Sequence, residues 1–339
     1  MNRRLTAGLA ALGTLAALLA SCGYDDTPLP KPPEAAPTSP PSKPPCTTTD
    51  ADYRSYAPSS DVVAGGAVER IQKRGRLIVG VSADTYQMAA ENPQNDNRIE
   101  GFDIEFAKAI GKAIFGSDFE LGKNIQFKVI TAGDRIGDLQ NRVVDLVIRN
   151  FTVTCDRWQQ IAFSQIYYEA TQKVLVTPSL AEKYEGLQSL AGLRVCAPIG
   201  STSLTNIQTQ ADKLGVDPSP ILSPAVTHTG CLVKFQRGEV DAITGDDTVL
   251  AGLAAQDPYA VVPPSCDDPT IAPGTACQTS LEPEPYGIGA NGDDIDLVRY
   301  VNAVLENMRN GAWQVAYNKY LATYLGSGAT QPPPYLPYR

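Results

Sequence analysis

The chain has 339 residues and a net charge of −9, with 43% apolar and 19% charged residues. That length allows two domains or one large one, and the composition is ordinary for a globular protein. An acidic chain without any cluster of Lys or Arg argues against a nucleic-acid partner, because a polyanion rewards a basic surface.

At the N-terminus, Arg3 and Arg4 precede an apolar stretch over 5–20 that is a little short for a membrane span. It ends in Leu19, Ala20, Ser21 and Cys22, small residues before a Cys, which resembles the bacterial lipobox. A lipoprotein signal peptide over 1–21 is expected, with Cys22 carrying lipid and holding the protein outside the cell membrane, in the cell envelope. A simple signal peptide and an uncleaved anchor are the alternatives. Residues 22–60 are Pro-rich and read as a spacer too poor in large apolar residues to pack a core. The tail over 327–339 reads as non-globular for the same reason.

The body alternates strand and helix patterns. Strand-like runs at 76–82, 124–130 and 143–149 enclose helix-like runs at 101–116 and 133–142, and the first helix carries Phe102, Phe106, Ile110 and Ile114 on one face. This β-α-β-α-β order predicts a parallel sheet covered by helices. A second such unit follows, with strands expected at 172–177, 193–200, 239–245 and 259–263, and helices after Gly200 and over 248–255. After 282–290 come two helices, one carrying Leu297, Val301, Val304, Leu305 and Met308 on one face and one running from Ala312 to Leu325. The chain thus passes between two α/β units twice.

Seven Cys are present; with Cys22 lipidated, six remain, an even number suited to disulfides in an exported protein. Fifteen connectivities are possible. The expected set is Cys266–Cys277 by proximity, Cys196–Cys231 within one unit, and Cys46–Cys155. No CxxC or Cys/His spacing for a metal occurs, and His228, the single His, reads as a loop or helix-start residue. The GIGANG run at 287–292 matches a dinucleotide fingerprint but opens no βαβ unit, so strand-end glycines are the simpler reading. The Asp pairs at 246–247, 267–268 and 293–294 lack the alternating oxygens of an EF-hand. Neither cofactor nor metal is expected.

Six segments occur in a telling order: LIVGVSAD, GFDIEFAKAIGKAI, DRIGDLQNRVVDLVIRNFTVTCDRWQQIAFSQIYY, LAGLRVCAPIGSTS, FQRGEVDAITGDD and EPYGIGANGDDIDLVRYVNAVLENMRNGAWQVAYNKYL. Together they resemble the extracellular solute-binding proteins, family 3, which deliver polar amino acids to ABC transporters. With the lipobox and spacer, the likeness is to the glutamine/glutamate-binding lipoproteins of actinobacterial type. The resemblance covers about 66–326. It implies a type II periplasmic-binding-protein fold, two α/β lobes joined by two hinge strands. Lobe one would be 66–165 plus 287–326, lobe two 171–281, with crossovers near Ile166–Ala170 and Glu282–Tyr286.

The same resemblance implies a site. Arg157, five residues after Thr152, matches the arginine that grips an α-carboxylate, for which a guanidinium offers two parallel hydrogen bonds. Asp246 matches the acid that pairs with the α-ammonium. Asn150 and Thr152 would add polar groups, and Gly200, Ser201 and Thr202 would present a helix start to the carboxylate from lobe two. Tyr86 is proposed as a lid, whereas Ser82 stands where an acid is common and Ala132 where an aromatic is common. Arg135 matches the position used against a distal carboxylate, and Arg149 stands where many members have a small residue. If both face the cleft, three cations meet one anion, which favours aspartate or glutamate, with asparagine and glutamine weaker.

The function expected is a monomeric, lipid-anchored amino-acid receptor serving an ABC permease, with no enzymatic step. A sensor docking on a signalling membrane protein is the alternative. A dehydratase-like enzyme on the same fold is the minor one, disfavoured because the named residues suit an α-amino-acid grip.

Overall fold

The computed structural model describes residues 46–339. The expected signal peptide, Cys22 and most of the spacer lie outside the described residues.

Eleven strands occur among these residues. They are β1 (Leu77–Val81), β2 (Asp84–Thr85), β3 (Ala89–Asn92), β4 (Arg98–Glu100), β5 (Ile125–Val129), β6 (Leu146–Val147), β7 (Ala162–Val176), β8 (Arg194–Cys196), β9 (Ile221–Leu222), β10 (Ala242–Asp246) and β11 (Pro283–Ala290). Eight form one sheet in the order β5-β1-β6-β11-β7-β10-β8-β9. β1 pairs in parallel with β5 and β6, and β8 in parallel with β10 and β9. β1 reads Leu-Ile-Val-Gly-Val and is buried almost throughout, as expected for a parallel strand covered by helices on both faces.

Two long strands join the parallel halves. β7 has 15 residues, which at about 3.3 Å per residue is a rod of about 50 Å. β11 runs antiparallel to it, from Pro283 opposite Thr171 to Ala290 opposite Ala162. The first part of β7 packs with lobe one, while Ala242 to Asp246 of β10 pair with Val176 to Gln172 at its other end. Each half has its own apolar core. The larger gathers Val79, Phe102, Phe106, Ile110, Leu297, Val301 and Trp313, and the second lobe buries Val174, Val195, Ile207, Leu250 and Ile243.

The helix over Phe102–Phe115 buries Phe102, Phe106, Ile110 and Ile114, the predicted stripe. Where the sequence suggested a strand at 259–263, only one bridge forms, between Val176 and Val261. The small sheet β2-β3-β4 and the helix over His228–Gln236 carry patterns too short to be read in advance.

The disulfides are Cys46–Cys155, Cys196–Cys231 and Cys266–Cys277, the expected set. The chain ends differ from expectation. Residues 46–60 were assigned to a spacer, yet Cys46 is bridged to Cys155, Trp158 Nε1 donates to the Asp52 carbonyl, and the buried Ser55 donates to the Phe163 carbonyl at 2.7 Å. The C-terminal tail meets this segment: Tyr335 packs edge-on to Tyr53 at 5.2 Å, and Arg339 Nε donates to the Arg54 carbonyl at 2.7 Å over the Trp158 ring. A few aromatic and guanidinium anchors dock these two ends without needing a core of their own.

Candidate functional site

The carboxyl ends of β6 and β10 and the first turn of the helix over Thr202–Leu214 converge between the lobes, the place where open α/β sheets bind ligands. They enclose a cavity of about 10 Å³ walled by Ala132, Arg135, Arg149, Asn150, Thr152, Ser201, Thr202, Ser203, His228 and Asp246. The lobes are closed on each other. Arg135 Nη2 of lobe one donates to the Gly200 carbonyl of lobe two at 3.1 Å, and Asn150 Nδ2 reaches Asp246 Oδ2 at 3.4 Å. The Thr152 and Thr202 hydroxyls lie 3.3 Å apart, and Thr229 Oγ1 donates to the Asp84 carbonyl at 2.9 Å. Gly200 has φ +79°, and a Cβ there would stand 2.7 Å from Gly133 Cα of the opposite lobe, so glycine is what lets the two backbones meet.

β6 pairs only over Leu146–Val147, after which Asn150 turns the chain at φ +34°. Its amide donates to buried Asp103 Oδ2 at 2.9 Å, and Tyr167 Oη donates to Asp103 Oδ1 at 2.8 Å. Burial raises the Asp103 carboxyl to about 6, against those hydrogen bonds and Arg149. This buried anchor fixes the strand end from which Arg149, Asn150 and Thr152 project.

The arginines have unlike surroundings. Arg135 is fully committed: Nε donates to the Ala132 carbonyl at 2.8 Å, Nη1 to those of Arg149 and Asn150, and Nη2 to Gly200. The positions that were to read a distal carboxylate therefore hold backbone oxygens together. Arg149 is 1% exposed and lines the cavity, its Nε has no hydrogen-bond partner, and it forms no salt bridge among the described residues. Burial lowers its affinity for a proton; the charges of Asp84, Asp103 and Asp134 act the other way. Arg157 stands behind the cavity wall, its Nη1 donating to the Thr152 carbonyl at 2.6 Å and its guanidinium over the Phe151 ring. Burial lowers the proton affinity of Arg157 too, with Glu284 and Asp246 as the opposing charges.

Asp246 ends β10 and accepts from Tyr286 Oη at 2.6 Å, from Asn150, and from Ser203 Oγ at 3.3 Å. Burial raises its pKa. Ser201 caps the helix over Thr202–Leu214 by accepting from the Leu204 amide at 3.2 Å, so this helix aims its positive end at the cavity.

Tyr86 does not line the cavity. It is 40% exposed and lies against the helix over Asp247–Ala254, where its carbonyl would stand 2.5 Å from a Cβ at Gly252. The β2-β3 hairpin directs it to that outer face. Other functional side chains escaped the sequence reading. His228 begins a helix, as expected of it, but also forms part of the wall; burial, then Arg149, depress it to about 3, so it is neutral. Glu284 on β11 is fully buried and accepts from Thr152 Oγ1, from Thr202 Oγ1 at 2.7 Å and from Asn206 Nδ2 at 3.1 Å. Its signal was an acid between two prolines in a connecting strand. The inventory of three cations and one anion is thereby corrected: Glu284 is a second buried acid, and Asp84 and Asp103 bear on Arg149.

Among the described residues no group of three or more His, Cys, Asp or Glu could hold a metal, and no helix is long and apolar enough to cross a membrane.

Residues 77–323 match the bacterial extracellular solute-binding proteins, family 3. A glutamine-binding protein of Geobacillus stearothermophilus is 34% identical over 69% of this chain and 80% of its own length. The glutamate-binding protein GluB of Corynebacterium efficiens is 26% identical over 71% of this chain and 77% of its own. An ancestral arginine-binding protein bound to arginine superposes with a TM-score of 0.60 at 27% identity, over 73% of this chain and 99% of that one. The interlobe cavity, the paired connecting strands and the match across nearly the whole folded body agree, and the chain belongs to the bacterial extracellular solute-binding proteins, family 3.

Proposed function

We propose that this protein is a lipid-anchored receptor, outside the cell membrane, that binds aspartate or glutamate in preference to their amides and hands the ligand to an ABC importer. Cys22 carries the lipid, and the protein acts as a monomer without enzymatic chemistry. Arg157 and Thr152 meet the α-carboxylate together with the helix start at Gly200, Ser201 and Thr202. Asp246 and Asn150 meet the α-ammonium. A glutamine-binding and a glutamate-binding relative support an amino acid of this size and polarity.

The observation that carries the choice of an acid is Arg149, a buried guanidinium on the cavity wall with its Nε unpartnered. A buried guanidinium N–H without a hydrogen-bond partner is costly, and a ligand carboxylate removes that cost. Arg135 has no such freedom, so the distal carboxylate falls to Arg149 alone. Opening about the connecting strands admits the ligand, which on closure takes the place of part of the contacts now made directly between the lobes. Calorimetric titration with the twenty amino acids tests this: glutamate or aspartate should bind most tightly, and a strong preference for histidine, lysine or an apolar residue overturns it. Uptake of labelled ligand should fall in a strain lacking the protein; unchanged uptake overturns the transport role.

A further inference from the structure

We propose that Glu284 is a specificity-determining residue, an internal carboxylate on the connecting strand whose charge sets how strongly the closed cleft prefers an acidic amino acid over its amide. The proposal rests on the acidic-ligand reading above and deepens it.

Glu284 has no exposed surface, and it lies on neither lobe's wall but on β11, between them. One of its oxygens accepts from Thr152 of lobe one and from Thr202 of lobe two, and the other accepts from Asn206 of lobe two. Those two threonine hydroxyls are the ones assigned to the ligand. Glu284 therefore shares its donors with the ligand's α-carboxylate.

The charged and titratable groups facing it come from four elements. Arg157 stands on the short helix over Cys155–Trp158, Asp246 at the end of β10, Arg135 on the helix over Asp134–Gln140, and Tyr53 on the N-terminal turn. With Glu284 ionised, Arg135 and Arg157 face two acids, Asp246 and Glu284; with it protonated, they face one. An acidic amino acid brings a net charge of −1 and its amide none. The spare positive charge of the protonated form thus favours the acid, and the ionised form removes much of that advantage. Burial, then the charge of Asp246, raises the Glu284 carboxyl to about 8, within the working range of an exported protein. Burial alone would have been met by a neutral residue; a carboxyl held by three donors keeps both protonation states accessible.

The readout is a ratio, the Kd for glutamine divided by the Kd for glutamate, because the α-carboxylate and α-ammonium contacts cancel in it. Calorimetry on the full protein should show this ratio falling about tenfold from pH 6.5 to pH 9, as one buried charge appears near the ligand. Glu284→Gln should flatten the profile at the acid-side value. Asn206→Ala, which removes a donor to the ionised carboxylate, should move the midpoint to higher pH, and it keeps the proposal testable if Glu284→Gln fails to fold. Asp247→Asn controls for another acid raised by desolvation, to about 7, and should leave the midpoint unmoved. Both ligands binding with a ratio independent of pH, or an Asn206→Ala midpoint that does not move, overturns the role of Glu284 alone. Glutamate and glutamine both failing to bind at every pH overturns the ligand reading and this inference with it.

Discussion

The two walls of the cleft are chemically unlike. Lobe one contributes Arg135, Arg149, Asn150 and Thr152, with Arg157 behind them, the three arginines lying within 23 residues of chain. Lobe two contributes Ser201, Thr202, Ser203 and Asp246 around a helix start, with neutral His228 beside them. Lobe one is a cationic floor built on a buried acid, Asp103, whereas lobe two is a lid of hydroxyls, a helix start and one acid, Asp246. An anion should therefore meet lobe one first, and lobe two should act mainly by completing hydrogen bonds on closure. Glu284, on the connecting strand, accepts hydrogen bonds from both walls and couples them.

The largest effect that would break this contrast is on the floor. Arg157→Ala should abolish binding of every amino acid, by at least about a hundredfold in Kd, since buried acids lose a compensating charge along with the ligand's grip. Retained binding in titration would remove Arg157 from the site. Arg149→Ala should be selective, costing glutamate about tenfold or more and glutamine about threefold or less, by the value of a buried charged hydrogen bond. Equal losses would show that Arg149 does not read the ligand side chain. On the lid, Thr202→Val removes a hydroxyl that bonds Glu284 and faces Thr152, which is about 1 kcal/mol, or about a fivefold faster ligand release. A slower release in stopped-flow would contradict a lid role.

Acidity offers a subtler test. Burial raises Asp103 to about 6 and Asp247 to about 7, and burial with Asp246 raises Glu284 to about 8. These groups hold protons in the folded chain that the unfolded chain has already released, so stability should fall as pH rises from about 5 to 8. The surface acids shifted down by hydrogen bonds, such as Glu100 and Asp134, add stability only as pH rises from below their unfolded values, a change complete by about pH 5. Thermal melts without ligand should show the decline, and Glu284→Gln should reduce its slope; a rise in Tm across this window would refute the burial of neutral acids. The smallest effect expected is at Tyr86→Ala, within about twofold in Kd, as for a surface side chain outside the cavity.

Much of this was legible along the chain. Local periodicity marks β1, the helix over Phe102–Phe115 and the helix over Ile295–Met308, because each must bury one stripe or two faces. Placement of Asn150, Thr152, Ser201, Thr202 and Asp246 around one cavity follows from strand ends and a helix start, which sequence also signals. Short elements were not legible: β9 and the β2-β3-β4 sheet have too few residues for a period to show. Nor was the docking of residues 46–60 and 331–339, since each end finds its anchors on the other and on Trp158.

By itself the sequence determined the alternation of strand and helix and the presence of three arginines near the end of one strand. Only the tertiary structure decided what those arginines do. Arg135 spends its donors on four carbonyls, three in its own lobe and one in the other, while Arg149 lines the cavity and has a buried, unpartnered Nε. The reason is that a guanidinium's partners are fixed by where distant backbones turn, and no local spacing encodes that. Glu284 is the clearest instance, because its three donors lie 78 to 132 residues away in the chain and converge only when the two lobes close on β11.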